Sequence, residues 1–395
     1  MNLSRSAARF AAFAGAAALA LAAGAAQAQT PLKIGFIATL SGPAGALGQD
    51  QYDAFMMVVE ANGGKLGGVP VQILKEDDQL KPDVGVQVLQ KLIEKDKVSL
   101  FTGFTFSNVL MAQSKPLADA GAFAIVSNAG PAPLAGSQCN ANFYFTSWQN
   151  DMQAEGMGKY ATDQGYKKVY LLAPNYQAGK DSLAGFKRFY KGQVVDEVYT
   201  TLNQPDYSAE ISQIAAKKPD AIYVFYPGGM GVNFIKQYKQ SGLLGKIPLL
   251  STSTADGSTL PALKDTALGV ISSTFWGPDS PNPVSQKFVA DFEKKFNRIP
   301  SQYAAQSYDA ALLLDNAIGK VKGNLGDKNA FRAAIRKADF KSLRGPFTFN
   351  NNGYPIENIY TFVVAKDAKG RVNLKTIAQP LTAHRDAYSD KCPIK

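Results

Sequence analysis

The sequence predicts an α/β protein built on parallel sheets, and three observations carry that prediction. From Leu32 to about Ser253, apolar β-branched runs of strand length alternate with segments of helical period, which is the pattern of repeated βαβ units. Most of the helical segments stop at Gly or Pro, as helices do. The loops that follow the strand runs are rich in small hydroxyls, amides and aromatics, so polar groups gather at one end of the sheet.

The chain has 395 residues and opens on MNLSRSAAR, which carries Arg5 and Arg9 and no acid. FAAFAGAAALALAAGAA follows, and then Ala26-Gln27-Ala28, an A-x-A cleavage signal. Residues 1–28 are therefore expected to be a secretory signal peptide, removed after Ala28. A membrane anchor is the alternative, but the run is alanine-rich and shorter than the ~20 residues a bilayer span needs. Residues 29–395 suffice for two domains with separate cores. Without Arg5 and Arg9 the 42 basic residues become 40 against 32 acids, a formal charge of +8. The lysines are scattered and no stretch interleaves basic with aromatic residues, which argues against a nucleic-acid partner and for a solvated surface.

Cys139 and Cys392 are the only cysteines, and an exported chain folds in an oxidising compartment, so they are expected to pair. Two separate buried thiols are the alternative. Two cysteines alone cannot build a zinc site, and the single histidine, His384, sits near the C-terminus; no metal and no cofactor is expected.

Taken in order, the strand candidates are LKIGFIATL, VQILKEDD, VSLFTGF, AFAIVSN, KKVYLLAP, QVVDEVYT, AIYVFYP and IPLLST. The segments between them, from GQDQYDAFMMVVEANGG to GVNFIKQYKQSG, have helical period. The rhythm breaks after AFAIVSN, where AGPAPLAGSQCNAN leads to a short strand, FYFTSW, without a crossover helix of its own. A similar segment, GVISSTFWGPDSPNP, occupies residues 269–283. Beyond it come the helical FVADFEKKFN, QYAAQSYDAALLLDNAIGKV and KNAFRAAIRKA, then GPFTFNNNGYPIEN and the strands IYTFVVAK and VNLKTIA. A strand lacking its own crossover is a bridge between two sheets, so the chain is expected to pass between two lobes more than once.

Two glycine motifs, LSGPAGALG and YPGGMGVNF, stand where a dinucleotide fold places its phosphate loop, yet neither fits. Phe234 replaces the third glycine in one, and Pro43 removes a needed N–H in the other. A Ser–His–Asp or Cys–His set would have to use His384 in the tail-like TAHRDAYSDK, and Glu76-Asp77-Asp78 alternate across a strand, so no catalytic set is convincing and the chain is not expected to be an enzyme. What remains are the loops GFTFSN, SNAG, NYQAG, YPGG and STSTADG at strand carboxyl ends. In open α/β sheets ligands bind there, where helix N-termini present free N–H groups and a partial positive charge that favours a small anion. Ser107 opens the helix NVLMAQSK, and either caps it with its side chain or lends the local N–H groups to a carboxylate.

LKIGFIATLSGPAGALGQDQYDAFMMVVEANGG, AIVSNAGPAPL, NANFYFTSW, PDYSAEISQIAAKKPDAIYVF and QYAAQSYDAALLLDNAI resemble the leucine/isoleucine/valine-binding family of type I periplasmic binding proteins, the solute receptors of ABC importers. The resemblance runs over essentially all of residues 29–395. It implies two Rossmann-like lobes joined by three hinge strands, with a small-molecule ligand in the cleft between them. On that reading residues 29–145 with 277–346 form one lobe and residues 146–276 with 347–395 the other. It also implies a periplasmic location, a membrane permease as partner, and a monomer.

Carried over residue by residue, the family's carboxylate-binding serine matches Ser107 and its first-loop contact matches Leu47. The next contacts match Asn128 and Gly130, with Thr105 and Ala129 beside them, and the second-lobe aromatics match Tyr176 and Tyr226. Two departures stand out: Gly130 replaces a Thr hydroxyl, and the loop that offers a Glu to an amino acid's ammonium reads Ser-Thr-Ser-Thr254-Ala-Asp256. An unpaired buried ammonium is costly, so the missing acid argues against an α-amino acid, unless Asp256 substitutes. Phe104, Phe106, Tyr176, Tyr226, Trp276 and Tyr308 are expected near the cleft mouth, where rings stack on rings for ~0.5–1.5 kcal/mol beyond area burial. These features are similar to the branch that binds aromatic carboxylates such as benzoate and hydroxycinnamate derivatives, which also carries a Cys before the first hinge strand and another near the C-terminus. Branched-chain or other amino acids are the second choice of ligand.

Overall fold

A computed structural model describes residues 30–394. The expected signal peptide, residues 1–28, lies outside them. β1 (Leu32–Ala38) is LKIGFIA, and its last five residues are buried. A strand so apolar on both faces belongs inside a sheet covered on both sides. It runs through the middle of a six-stranded sheet with the order β2-β3-β1-β4-β5-β6. The others are β2 (Lys65–Leu66), β3 (Val69–Asp77), β4 (Leu100–Gly103), β5 (Phe123–Val126) and β6 (Phe143–Phe145). All neighbours pair in parallel except β2 with β3. The chain returns between strands through α1 (Gly45–Ala61), α2 (Pro82–Glu94), α3 (Ser107–Asp119) and the single turn α4 (Ala132–Ala135).

After β6 the chain enters α5 (Asn150–Asp163) and an eight-stranded sheet with the order β12-β13-β11-β10-β9-β7-β8, with β14 on β13. Its first five strands are β7 (Lys168–Pro174), β8 (Gln193–Thr200), β9 (Ala221–Phe225), β10 (Leu249–Thr252) and β11 (Ile271–Thr274). They alternate with α6 (Gln177–Phe189), α7 (Ser208–Lys217), α8 (Gly229–Gln240) and the short α9 (Leu260–Leu263). The chain then leaves for α10 (Pro283–Phe296), α11 (Gln302–Lys320) and α12 (Lys328–Arg336), of which α11 packs on α1 and β2. It comes back to form β12 (Thr348–Phe349), β13 (Pro355–Lys366) and β14 (Val372–His384).

The fold is thus α/β in two lobes, with three passages of the chain between the sheets. One detail adds to the reading of parallel sheets. β13 runs antiparallel to β11, and β14 antiparallel to β13. A short turn suffices for an antiparallel neighbour, whereas a parallel one needs a crossover of a dozen residues, and only Asp367–Arg371 separate β13 from β14.

Separate apolar cores lie within the lobes. Ile34, Phe36, Phe55, Leu313 and Leu314 share one under the first sheet, while Val169, Leu171, Phe186, Tyr223 and Leu250 share one in the second. Each fully buried Leu or Phe contributes roughly 1.5–3 kcal/mol. Cys139 and Cys392 form a disulfide with their Cα atoms 5.7 Å apart, as expected. It ties the C-terminal segment to the loop before β6. The same segment reaches α5, where the Tyr388 hydroxyl donates to Asp151 Oδ2 at 2.8 Å and His384 meets Glu155.

Candidate functional site between the lobes

The carboxyl ends of the strands in both sheets face a common cleft, and backbone conformation decides what enters it. β4 ends in Gly103 at φ +98°, followed by Phe104 at φ +63°. A Cβ on Gly103 would stand 2.3 Å from the Ile37 carbonyl oxygen, so only glycine fits. The left-handed step sends the Phe104 ring into the core beneath the sheet and turns Thr105, Phe106 and Ser107 into the cleft. Across the cleft, Ser253 just after β10 also has positive φ, +51°. Left-handed non-glycine residues cost of order 1–3 kcal/mol each and persist where the surroundings hold them, which is common at ligand sites.

The first lobe lines a cavity with Leu47, Thr105, Phe106, Ser107, Asn128 and Ala129, and the second with Tyr176, Ala178, Phe225, Pro227, Thr252 and Ser253. Trp148 on the passage after β6, Asn150 and Gln153 of α5 and Tyr303 of α11 complete it. The walls lie close together and leave a cavity of only about 20 Å³. None of these side chains carries a charge. Phe106 and Tyr176 meet across the cleft at 6.2 Å between ring centroids, and Tyr176 stacks on Phe225 at 6.2 Å and 23°.

Two helices point their N-termini into this uncharged space from opposite lobes, α3 at Ser107 and α6 at Gln177 and Ala178. Their N-cap residues are Phe106 and Tyr176, and among the described residues no side chain caps either helix. First-turn N–H groups have no intrahelical partner and carry the positive end of the helix dipole, so the pair forms an anion-attracting clamp. Ser107 is the first helical residue rather than a side-chain cap, and its Oγ accepts from Asn150 Nδ2 at 3.1 Å.

Asn150 joins the lobes. Its N–H donates to the Gly130 carbonyl at 2.8 Å, its Oδ1 accepts from the Gly130 N–H at 3.1 Å, and its Nδ2 also donates to Asp181 Oδ2 at 2.9 Å. Asp181, on α6, accepts in addition from the Ala132 N–H of α4 in the other lobe, at 3.1 Å, and from Gln177 Nε2 at 2.7 Å. Burial pushes the Asp181 carboxyl above its ordinary range, with these donors pulling the other way. The two glycine motifs meet here too. Gly228, at φ +63°, and Gly229 press on the Pro43 loop so closely that a Cβ on Gly229 would lie 2.8 Å from Cβ of Pro43. These glycines serve close approach of two loops.

Buried bonds hold the first-lobe wall from behind. Thr105 Oγ1 accepts from the Thr39 N–H at 3.0 Å and donates to Gln51 Oε1 at 2.7 Å, while Asn128 donates to the Thr105 carbonyl and accepts from Gln306 Nε2 at 2.7 Å. On the other side Gln302 Nε2 donates to Ser253 Oγ at 3.0 Å and Ser253 Oγ to Gln153 at 3.3 Å. The Tyr303 hydroxyl is buried against Gln302 and Ser253, whose own bond to each other leaves it without a well-formed one.

The structure therefore brings Leu47, Thr105, Phe106, Ser107, Asn128, Ala129 and Tyr176 together around the cavity. The other expected residues lie elsewhere. Phe104 packs in the first-lobe core for the backbone reason given above. Gly130 has both backbone groups spent on Asn150, and a Cβ there would stand 2.1 Å from the Trp148 carbonyl oxygen, which accounts for the absent Thr. Tyr226 is turned away because successive strand-end residues point to opposite faces; Phe225 takes the cavity side and Tyr226 packs on Tyr207 and Phe234. Thr254 spends its hydroxyl on the Tyr226 N–H and the Thr252 carbonyl. Trp276 donates to Ser285 Oγ at 2.8 Å beside a different cavity, and Tyr308 packs on Phe288 at 4.7 Å. Asp256 turns to Ser258 and Thr259, so it does not replace the missing acid in the cavity wall.

Trp148, Asn150, Gln153, Phe225 and Tyr303 were not read from the sequence as site residues. FYFTSW does signal a bridging strand, and residues on a bridge face the cleft; Phe225 follows from strand alternation once the register is known.

Residues 31–370 match the model of the periplasmic binding protein family. The Leu/Ile/Val-binding protein homolog 6 of Brucella melitensis is 28% identical over 91% of this chain and 94% of its own. Among solved structures, a solute-binding protein of an ABC transporter from R. palustris, in complex with benzoate, is 29% identical with a TM-score of 0.87, covering 92% of this chain and all (100%) of that one. One from Rhodopseudomonas palustris BisB5, in complex with 3,4-dihydroxybenzoic acid, is 27% identical with a TM-score of 0.83 and covers 90% and 99%.

Proposed function

This chain belongs to the periplasmic binding protein family, and on that premise we propose that it is the solute receptor of an ABC importer whose ligand is an aromatic monocarboxylate of the benzoate or hydroxycinnamate kind. The observation that carries the reading is an uncharged, ring-walled cavity on which two uncapped helix N-termini converge from opposite lobes. A carboxylate is the anion that suits those N–H groups, and the rings of Phe106, Tyr176 and Trp148 offer faces on which a planar ring packs once the lobes part to admit it. An α-amino acid would bring an ammonium into a wall that contains no acid. The benzoate and dihydroxybenzoate complexes of the relatives support the same ligand class.

The work is binding rather than catalysis. Ligand docks on the first lobe at Ser107, and closure brings Tyr176 and Phe225 over it. Asp181 then locks α6 to the Ala132 N–H, and the closed form is what a membrane permease recognises. The moving bodies are residues 29–145 with 277–346 and residues 146–276 with 347–395, after removal of residues 1–28 in the periplasm. Calorimetric titration with benzoate, 4-hydroxycinnamate and leucine tests the proposal. Tighter binding of either aromatic acid than of leucine is expected; tight leucine binding with no heat from the aromatic acids would overturn it.

A further inference from the structure

Among the polar side chains of the first-lobe wall, Ser107 has a hydroxyl hydrogen still to give. The Thr105 hydroxyl is spent both ways, accepting from the Thr39 N–H at 3.0 Å and donating to Gln51 Oε1 at 2.7 Å. Asn128 is held at both ends of its amide, by the Thr105 carbonyl and by Gln306 Nε2. The Ser107 hydroxyl accepts from Asn150 Nδ2 at 3.1 Å, and among the described residues its own proton has no acceptor.

Whether that proton is free depends on which way the Asn150 amide is turned. With Nδ2 toward Ser107, the amide occupies a lone pair of Oγ and leaves the hydroxyl to donate. With Oδ1 there instead, the hydroxyl would donate to the amide and offer a ligand only lone pairs. Two partners fix the first arrangement. The Gly130 N–H donates to Oδ1 at 3.1 Å, and Asp181 Oδ2 accepts from Nδ2 at 2.9 Å. That same oxygen takes the Ala132 N–H at 3.1 Å, so it faces Asn150 as an acceptor. A flipped amide would set oxygen against oxygen and N–H against N–H between side chains only 9% and 5% exposed, where mispaired groups are costly. Asn150 is also the first residue of α5, on the passage after β6. Atoms beside a hinge move least when lobes part, so its contact with Ser107 is the one least disturbed as ligand enters.

We infer that Asn150 is a positioning residue for the ligand's carboxylate: held by Gly130 and Asp181, it turns the Ser107 hydroxyl into a donor and so favours an acceptor-only anion over the neutral amide of the same shape. The inference rests on the aromatic-carboxylate reading above. A carboxylate there meets the hydroxyl and the first-turn N–H groups of α3 and α6, all of them donors. A carboxamide brings an NH2 against those same donors.

Benzoate and benzamide are the probes, and calorimetry gives the ratio of their dissociation constants in the parent, Asn150→Asp, Ser107→Ala and the double variant. Asn150→Asp keeps an acceptor for the Gly130 N–H and puts oxygen where Nδ2 stood, so it captures the hydroxyl proton. The preference for benzoate should fall about tenfold or more in the Ser107 chain, beyond any change that Asn150→Asp causes in the Ser107→Ala background. The added charge acts in both backgrounds and cancels in that comparison. If Asn150→Asp fails to fold by circular dichroism, Asn150→Ala enters the same cycle with a smaller expected loss, about threefold, because the freed hydroxyl loses only its orientation. A residue that merely keeps the passage in shape would weaken both probes alike. An unchanged ratio, or the same change with and without the Ser107 hydroxyl, would overturn the inference while benzoate binding by the parent upholds the ligand class. A parent that binds leucine and neither probe would overturn both.

Discussion

Replacing Tyr303 by Phe deletes one hydroxyl and keeps the ring, 1% exposed, in its place. Tyr303 lines the interlobe cavity with its hydroxyl buried against Gln302 and Ser253, which are bonded to each other at 3.0 Å. A buried hydroxyl without a partner costs about 1–3 kcal/mol, so without ligand Tyr303→Phe should be more stable by up to that amount. The unfolding entropy of so long a chain makes each kcal/mol about 1–2 °C in Tm, so a rise of a few degrees is expected by differential scanning calorimetry. With ligand the sign reverses. If the hydroxyl meets a neutral group of the ligand, its loss costs about 0.5–1.5 kcal/mol, roughly 2- to 10-fold in Kd; if it meets the carboxylate, about 1.5–3 kcal/mol and more than about 10-fold. Titration of the parent and variant with benzoate and 4-hydroxybenzoate therefore also says which end of the ligand lies against Tyr303. A lower Tm together with unchanged affinity would refute the reasoning, since it would mean that the hydroxyl is bonded within the protein.

Ser107→Ala should weaken binding of an aromatic acid by ~1–3 kcal/mol while leaving the melting curve in place, because Asn150 Nδ2 keeps Asp181 as acceptor; calorimetry measures the first and circular dichroism the second. Asp181→Ala should leave the Ala132 N–H without its cross-lobe acceptor, and small-angle scattering of the ligand-saturated variant should give a larger radius of gyration than the parent. Thiol titration of the unreduced, denatured protein should find none, and the Cys139→Ser, Cys392→Ser double variant should lose about 2–5 kcal/mol by denaturant unfolding. Burial pushes Asp50 up to about 6, Asp151 to about 7 and Glu357 to about 8, with Arg298, Asp181 and Arg344 respectively the leading charges beside them. The folded chain then holds protons that the unfolded chain has released, so stability should fall as pH rises through those values, and Tm should be higher near about pH 5 than near about pH 8.

Strand and helix order was legible in the residues because burial on both faces leaves unbroken apolar runs such as LKIGFIA, and because helices signal their ends with Gly and Pro. The first-lobe half of the site followed from the same rule, since loops at strand carboxyl ends face the cleft, and Ser107 and Asn128 do line it. Which way a neighbouring ring points was not legible. Phe104 and Phe106 stand two residues apart in one loop, yet a single positive φ at Phe104 buries one and exposes the other to the cavity. Tyr226 and Phe225 exchange roles through a one-residue choice of face.

By itself the sequence determined the repeated βαβ order, the cysteine pair and the loops that carry polar groups, because each rests on local pattern or on counting. Tertiary structure alone decided that Asn150 and Asp181 bind the lobes to each other, that the two glycine loops touch, and that Arg344 gathers Asp309 and Glu357 from segments far apart in the chain. Those contacts span separations over which no period or motif survives, and they exist only because packing of two sheets brings distant backbone together in a space with little water to share.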